Sequence, residues 1–300
     1  MQIQKVGIIG IGRVGTAIGH RIRESGMTLS CVIDRDPDVV SEFLSSVDSM
    51  EASASDPNNL RGTDLILICV QDRHIHEVCR DLGARSLLSA HQIVLHTSGV
   101  TGKDCFAPLT GQTDRVGVMH PYFSFTQTTS SDSIRNIWYG LDVPRDIAVP
   151  VQSFVLSIGG KAFDISGIDR ALYHASAVFA SNYLTVIHAI ARHLLVCSGV
   201  DPASVRSIIE PLMRITVENT LALPFGAALT GPLIRGDLST VETHLEALSR
   251  WPQIHTAYQA LAEAALRILD SGSSKNSDGI ETGHGPFDTG ISERPDRDPI

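Results

Sequence analysis

The sequence predicts an α/β protein in which a doubly wound parallel sheet is followed by an all-α C-terminal domain. Three features carry this expectation. Short apolar runs alternate with helical stretches through the first half of the chain, a glycine-rich turn follows the first of those runs, and β-rich runs vanish after Gly167. Strands alternating with helices at this spacing form βαβ units, and βαβ units build parallel sheets.

The elements follow in order. Val6–Gly10 reads as a buried strand, then comes the glycine turn, then a helix to about Ser25. Leu29–Ile33 is the second strand and Asp36–Ser46 the second helix. Asp64–Val70 (DLILICV) is apolar enough for a strand buried on both faces, with a helix over His74–Leu82 after it. Gln92–Thr97 and Arg115–Met119 are further strands, separated by a weaker helix at Gly102–Leu109. Ile137–Val143, Val149–Ile158 and Ala162–Ile165 read as strand, helix and strand that extend the sheet. Beyond them lie helices at Asp169–Cys197, Pro202–Leu221, Ser239–Ser249 and Pro252–Leu269. Asp201 before Pro202 reads as an N-cap with proline in the first turn. Residues 1–167 are therefore expected to form a dinucleotide-binding domain and 168–270 a helical substrate and dimerisation domain. Residues 271–300, rich in Ser, Gly, Asp and Pro, are expected to form a disordered tail, since they cannot bury enough apolar surface.

Bulk composition narrows the function. With 43% hydrophobic and 19% charged residues the chain can bury a sizeable core. Its net charge of −9 repels phosphate backbones, so no nucleic-acid partner is expected. The five cysteines (Cys31, Cys69, Cys79, Cys105, Cys197) form no C-x-x-C pair, which argues against a disulfide framework and a metal site and for a reducing, cytoplasmic setting. The strand pattern begins at once, leaving no room for a signal peptide. Ala171–Ala191 lacks Asp, Glu, Lys and Arg, yet it carries His174, Ser176, Ser181, Asn182, Thr185 and His188. Those groups are costly in lipid, so the segment reads as a helix buried in protein and no membrane partner is expected.

Gly10-Ile11-Gly12-Arg13-Val14-Gly15 is a G-x-G-x-x-G turn between a strand and a helix. The first glycine permits the tight turn, the second lets backbone approach a pyrophosphate, and the third allows close helix–strand packing. The helix N-terminus adds amide donors and positive potential. The next strand ends in Asp34, whose carboxylate can accept hydrogen bonds from ribose hydroxyls. This is the context of a Rossmann dinucleotide site. Gly10, Gly12, Arg13, Val14, Gly15, Asp34, Arg35, Val70 and Gln71 are the candidate contacts to an NAD or NADP cofactor. Asp34 repels a 2′-phosphate and favours NAD, whereas Arg35 would suit NADP if Asp34 turned away.

Ligands on open α/β sheets bind beyond the carboxyl ends of the strands. Ser98, Gly99 and His120 follow such ends and are candidates for the nicotinamide side, although Ser98 would also serve as a turn cap and His120 as a strand-end residue held by Pro121. In the long helix His174 and Asn182 lie about two turns apart and share one broad face at 100° per residue. Arg235, in a glycine- and proline-punctuated loop, would clamp a substrate carboxylate or pair with Asp237.

GIIGIGRVG (7–15), HTSG (96–99), HPYFSF (120–125), ALYHASAVFASNY (171–183) and ALTGPLIRGD (228–237) together carry a resemblance covering the chain to about residue 270. It resembles Rossmann-like NAD(P) oxidoreductases with a C-terminal helical domain of unknown function. More distantly it is similar to the 6-phosphogluconate, 3-hydroxyisobutyrate, ketopantoate and pyrroline-carboxylate reductase superfamily. Ser98-Gly99 and Asn182 match that superfamily's substrate-binding positions, and Gly117–Pro121 is similar to the G-x-x-H-P of prephenate dehydrogenases. Several of these dehydrogenases place a catalytic lysine where this chain has Val178. The resemblance implies a homodimer formed through the C-terminal helices.

The expected activity is hydride transfer between the nicotinamide and a C=O or C=N carbon of a small, carboxylate-bearing substrate. His120 is the expected general acid, since an imidazole pKa near 6.5 suits proton donation at neutral pH. Ser98 and Asn182 would hold the reacting atom, and His174 is a second candidate acid. The alternative is a non-catalytic dinucleotide sensor or scaffold, which the missing lysine favours.

Overall fold

Short apolar runs alternating with helices pair into a seven-stranded sheet in the order β2-β1-β3-β4-β5-β6-β7. Its strands are β1 (Lys5–Ile9), β2 (Thr28–Ile33), β3 (Leu65–Ile68), β4 (Ile93–His96), β5 (Val116–Pro121), β6 (Trp138–Asp142) and β7 (Lys161–Asp164). This is a computed structural model, and it describes residues 2–47 and 56–273. The chain divides between Tyr183 and Leu184 into two compact units.

In the first unit both faces of the sheet are covered, and the strand pleat sorts the core. Val6 and Ile8, Leu65 and Leu67, Ile93 and Leu95 join one cluster with Ile18 and Ile22 of α1 (Arg13–Glu24) and with Val151 and Phe154 of α4 (Arg145–Ser157). Ile9, Ile66, Ile68 and Val94 join the other with Ile75 and Cys79 of α3 (Asp72–Arg85). A sheet buried on both faces explains why these strands read as continuous apolar runs. Asp36 caps α2 (Pro37–Ser46) by accepting from the Asp38 amide.

The sheet is parallel except at one pair: β5 and β6 are antiparallel, with His120 opposite Gly140. Pairing with β6 carries β5 through His120 and Pro121, so the histidine lies within the strand rather than after it. The weaker helix expected at Gly102–Leu109 is a 3₁₀ segment over Lys103–Leu109, which holds Pro108. A further 3₁₀ turn at Pro57–Gly62 was not anticipated. α5 (Arg170–Ala177) and a π-helical turn at Val178–Tyr183 close the unit.

The second unit is helical: α6 (Leu184–Cys197), α7 (Val205–Ala222), a short α8 (Phe225–Ala228), α9 (Leu238–Leu248) and α10 (Pro252–Ser273). Asp201 does not cap α7. Its carboxylate accepts from Ala203 N and Ser204 Oγ in the preceding turn, and Ser204 takes the cap position. Of the tail expected from residue 271, residues 271–273 continue α10 and 274–300 lie outside the described residues. Among the described residues no helix is long and apolar enough to cross a membrane.

Candidate active site

The glycine turn joins β1 to α1, at the point where β1 has β2 on one side and β3 on the other. Each glycine meets a different constraint. Gly10 has φ +98°, and a Cβ there would lie 2.8 Å from the Cys69 carbonyl carbon. A Cβ at Gly15 would lie 2.0 Å from the Gly10 carbonyl oxygen, so helix and turn touch backbone to backbone. Gly12 has no neighbouring atom within 4 Å of its Cβ position, which leaves its face open for a ligand. Gly12 is also the N-cap of α1, and no side chain caps the helix there. The free first-turn amides and the helix dipole therefore present positive potential to that open space.

Asp34, after β2, is half-buried. Its Oδ2 accepts from Ile11 N at 2.7 Å and its Oδ1 from Asp36 N at 3.1 Å, so the carboxylate is tied to the glycine turn itself. A pocket of about 540 Å³ opens beside it, and Gly10, Gly12, Asp34, Arg35, Val70 and Gln71 line its wall. Six expected cofactor residues thus meet at one cavity. Val14 packs on the core behind the turn, and Arg13 is exposed, reaching Phe125 O at 3.5 Å.

Because β3, β4 and β5 run parallel to β1, their carboxyl ends share one edge with the turn, and this places a second group of side chains there. His120 Nδ1 and the Tyr173 hydroxyl are 2.7 Å apart. The imidazole also packs edge-on to Tyr122 and His174, with ring centroids 6.3 and 6.2 Å away. Two glycines make room for it. A Cβ at Gly99 would come within 2.8 Å of His120 Nε2, and one at Gly140 within 2.8 Å of the Tyr173 hydroxyl. Burial, then the neighbouring His174, Arg170 and His96, push His120 down to about 4. At neutral pH the imidazole is uncharged, so it departs from the imidazolium acid expected from an unperturbed histidine. Burial, with Tyr122 beside it, pushes the Tyr173 phenol up to about 12.

Beneath this group Asp142, at the end of β6, pairs with Lys103 Nζ at 2.7 Å and with Arg170 NH1 at 3.6 Å. Arg170 also donates to Ser98 O at 3.3 Å, while its buried Nε has no hydrogen-bond partner in the described structure.

Residues 2–121 match the Rossmann-like domain family, and residues 138–265 match a domain of unknown function, DUF2520. The chain is a Rossmann-like domain joined to a DUF2520 domain. No curated protein matches it in sequence. Among solved structures, a Bacteroides fragilis protein provisionally named an NADP oxidoreductase is similar at 19% identity and a TM-score of 0.72, over 88% of this chain and 98% of that one. The Plasmodium falciparum pyrroline carboxylate reductase, solved with NADP bound, is similar at 13% identity and a TM-score of 0.55, over 88% of this chain and 98% of that one. The prephenate dehydrogenase of A. aeolicus, solved with hydroxyphenyl propionate and NAD+, is similar at 16% identity and a TM-score of 0.50, over 90% and 99%. At these identities the likeness establishes the shared fold.

In this Rossmann-like/DUF2520 protein the other expected site residues fare differently. Ser98 turns its hydroxyl into its own loop: Oγ donates to Thr101 Oγ1 at 3.0 Å and accepts from Thr101 N at 3.0 Å, as a turn cap does. Gly99 backs the His120 ring. His174 stands beside His120 with a buried Nδ1 that has no hydrogen-bond partner in the described structure. Asn182 lies in the π turn at Val178–Tyr183, exposed, with its side chain hydrogen-bonded to no described residue. Arg235 belongs to the second unit, exposed in the loop before α9, while Asp237 caps that helix by accepting from Thr240 N. Tyr173, Tyr122 and Arg170 were missed. Two of them stand inside the segments that carried the family resemblance, but only the fold brings Tyr173 to His120.

Proposed function

We propose that the protein is an NAD(P)-dependent oxidoreductase that moves a hydride between the nicotinamide and a C=O or C=N carbon of a small, carboxylate-bearing substrate. The observation that carries this reading is the pocket at the glycine turn, walled by Gly10, Gly12, Asp34, Arg35, Val70 and Gln71, with His120 on the same sheet edge. The relatives named for oxidoreductase activity support it through the fold. Bound there, the dinucleotide supplies the hydride chemistry. The chain's residues bind it, orient it and meet the charge that develops on the substrate. Gly12 and the first-turn amides face the pyrophosphate, and Asp34 favours the unphosphorylated ribose of NAD.

His120 acts as a neutral imidazole whose ring N–H stabilises the reacting oxygen or nitrogen, which is electrostatic catalysis rather than proton donation by an imidazolium. The protein works as a homodimer through its helical domain, in a reducing cytoplasmic setting that suits its five free thiols. Support for the dimer comes from α7, where Ile208, Leu212, Ile215 and Leu221 are exposed, Leu221 at 84%. Apolar side chains grouped this way mark association surfaces.

The test is loss of NADH or NADPH fluorescence against a panel of oxo acids and cyclic imines. Turnover with any member supports catalysis. A second reading, a non-catalytic dinucleotide sensor, is favoured by Val178 in the superfamily's lysine position and by Ser98 spending its hydroxyl on its own turn. Tight cofactor binding with no turnover across the panel would select it.

A further inference from the structure

We infer that Tyr173 is a positioning residue for His120: its hydroxyl donates to Nδ1 and thereby fixes the ring proton on Nε2, the nitrogen that faces the loop at Gly99. The inference rests on the oxidoreductase reading only for its kinetic consequence.

The geometry is built for this contact. Tyr173 comes from α5 and His120 from β5, and their polar atoms meet at 2.7 Å with the rings nearly perpendicular, at 80°. Opposite His120 in the antiparallel pair stands Gly140, where a Cβ would fall 2.8 Å from the Tyr173 hydroxyl. Any larger residue at that register position would displace the phenol from the imidazole. The tyrosine is held in turn, since its backbone carbonyl accepts from Ser176 Oγ at 2.6 Å, and Ser176 Oγ also bonds the Tyr122 hydroxyl at 2.8 Å. Nε2 makes no hydrogen bond to a described residue, which leaves it for a ligand.

The direction of the bond follows from the partners. A buried phenol holds its proton through the neutral range, and an uncharged imidazole offers one lone pair and one N–H. A phenol is the better donor and an imidazole nitrogen the better acceptor, so the proton on the phenol points at Nδ1. The charged and titratable groups around the ring are His174 and Arg170 from α5, His96 from β4 and Tyr122 after β5. Burial, then His174, Arg170 and His96, with no carboxylate directly on the imidazole, keep the ring neutral, so one tautomer rather than the doubly protonated form is what Tyr173 selects.

The experiment is two-bond ¹H–¹⁵N correlation of the imidazoles in full-length protein labelled at histidine, with His120 assigned from its loss in His120→Gln. Wild type should show His120 protonated at Nε2 with Nδ1 as acceptor, and Tyr173→Phe should relax it towards a mixture of both tautomers. With the best substrate from the panel, Tyr173→Phe should lower kcat about tenfold or more while the NADH dissociation constant stays unchanged. A wild-type ring protonated at Nδ1 overturns the inference without any variant, and an unchanged tautomer in folded Tyr173→Phe overturns it as well. Absence of turnover across the panel in wild type, with the tautomer result intact, would instead strike the oxidoreductase reading.

Discussion

Gly12→Val separates cofactor binding from folding more cleanly than any other change in the glycine turn. Its backbone at φ −77°, ψ −164° suits any residue, so a branched side chain causes no strain there. No atom lies within 4 Å of its Cβ position, so the folded protein has nothing for the valine to strike. The structural cost is the N-cap preference, where valine is poorer than glycine by up to about 1 kcal/mol. In a domain of this size that is roughly 2–4 °C in Tm. The dinucleotide pyrophosphate needs this open space, and three heavy atoms placed there should weaken NADH binding at least tenfold, or about 1.4 kcal/mol. Gly15→Ala behaves in the opposite way, because its Cβ would press to 2.0 Å on the Gly10 carbonyl oxygen and the turn itself must open. Fluorescence titration with NADH and NADPH, beside thermal melts, reads both effects. A folded Gly12→Val protein that binds NADH as well as wild type would refute the assignment of the pocket.

Removing the carboxylate in Asp34→Ala should raise NADP binding relative to NAD by roughly tenfold, and it should also cost about 1–3 kcal/mol, since Ile11 N and Asp36 N lose their acceptor. Equal affinity ratios before and after would show that Asp34 does not meet the ribose. His120→Gln should lower kcat by about 10²-fold with cofactor affinity unchanged, as expected for one lost transition-state donor. Because folding lowers His120 from 6.5 to about 4, the unfolded chain binds the extra proton first. The stability this contributes is present above pH 6.5 and is lost as pH falls towards 4. Thermal melts from pH 7 to 4.5 should therefore decline less steeply in His120→Gln than in wild type. Leu212→Glu, at an exposed site on α7, should convert a dimer to monomer in sedimentation without lowering secondary structure. A wild-type monomer would remove the dimer from the reading.

Much of the molecule was legible without coordinates, because local signals decide it. Strand β1, the glycine turn and α1 follow from apolar runs, from glycines that answer backbone demands within a few residues, and from helix periodicity. Asp34 could be placed at the turn because a βαβ unit returns the next strand beside the first. All nine candidate cofactor positions were read from this local logic, and six of them line one pocket. Tertiary structure decided the rest. The antiparallel pairing of β6 pulled His120 into β5 and set Gly140 opposite it, and no periodicity in either segment reports a pairing partner. The π turn at Val178–Tyr183 interrupts the single helix expected over Asp169–Cys197, and no periodicity in the segment reports that change of bonding. Tyr173 stands far from His120 in sequence yet meets it at 2.7 Å, and burial, then His174, Arg170 and His96, hold the imidazole well below an unperturbed histidine. Residue types announce which chemistry is possible, but a histidine's proton is governed by the low-dielectric surroundings and neighbours that only the folded chain assembles.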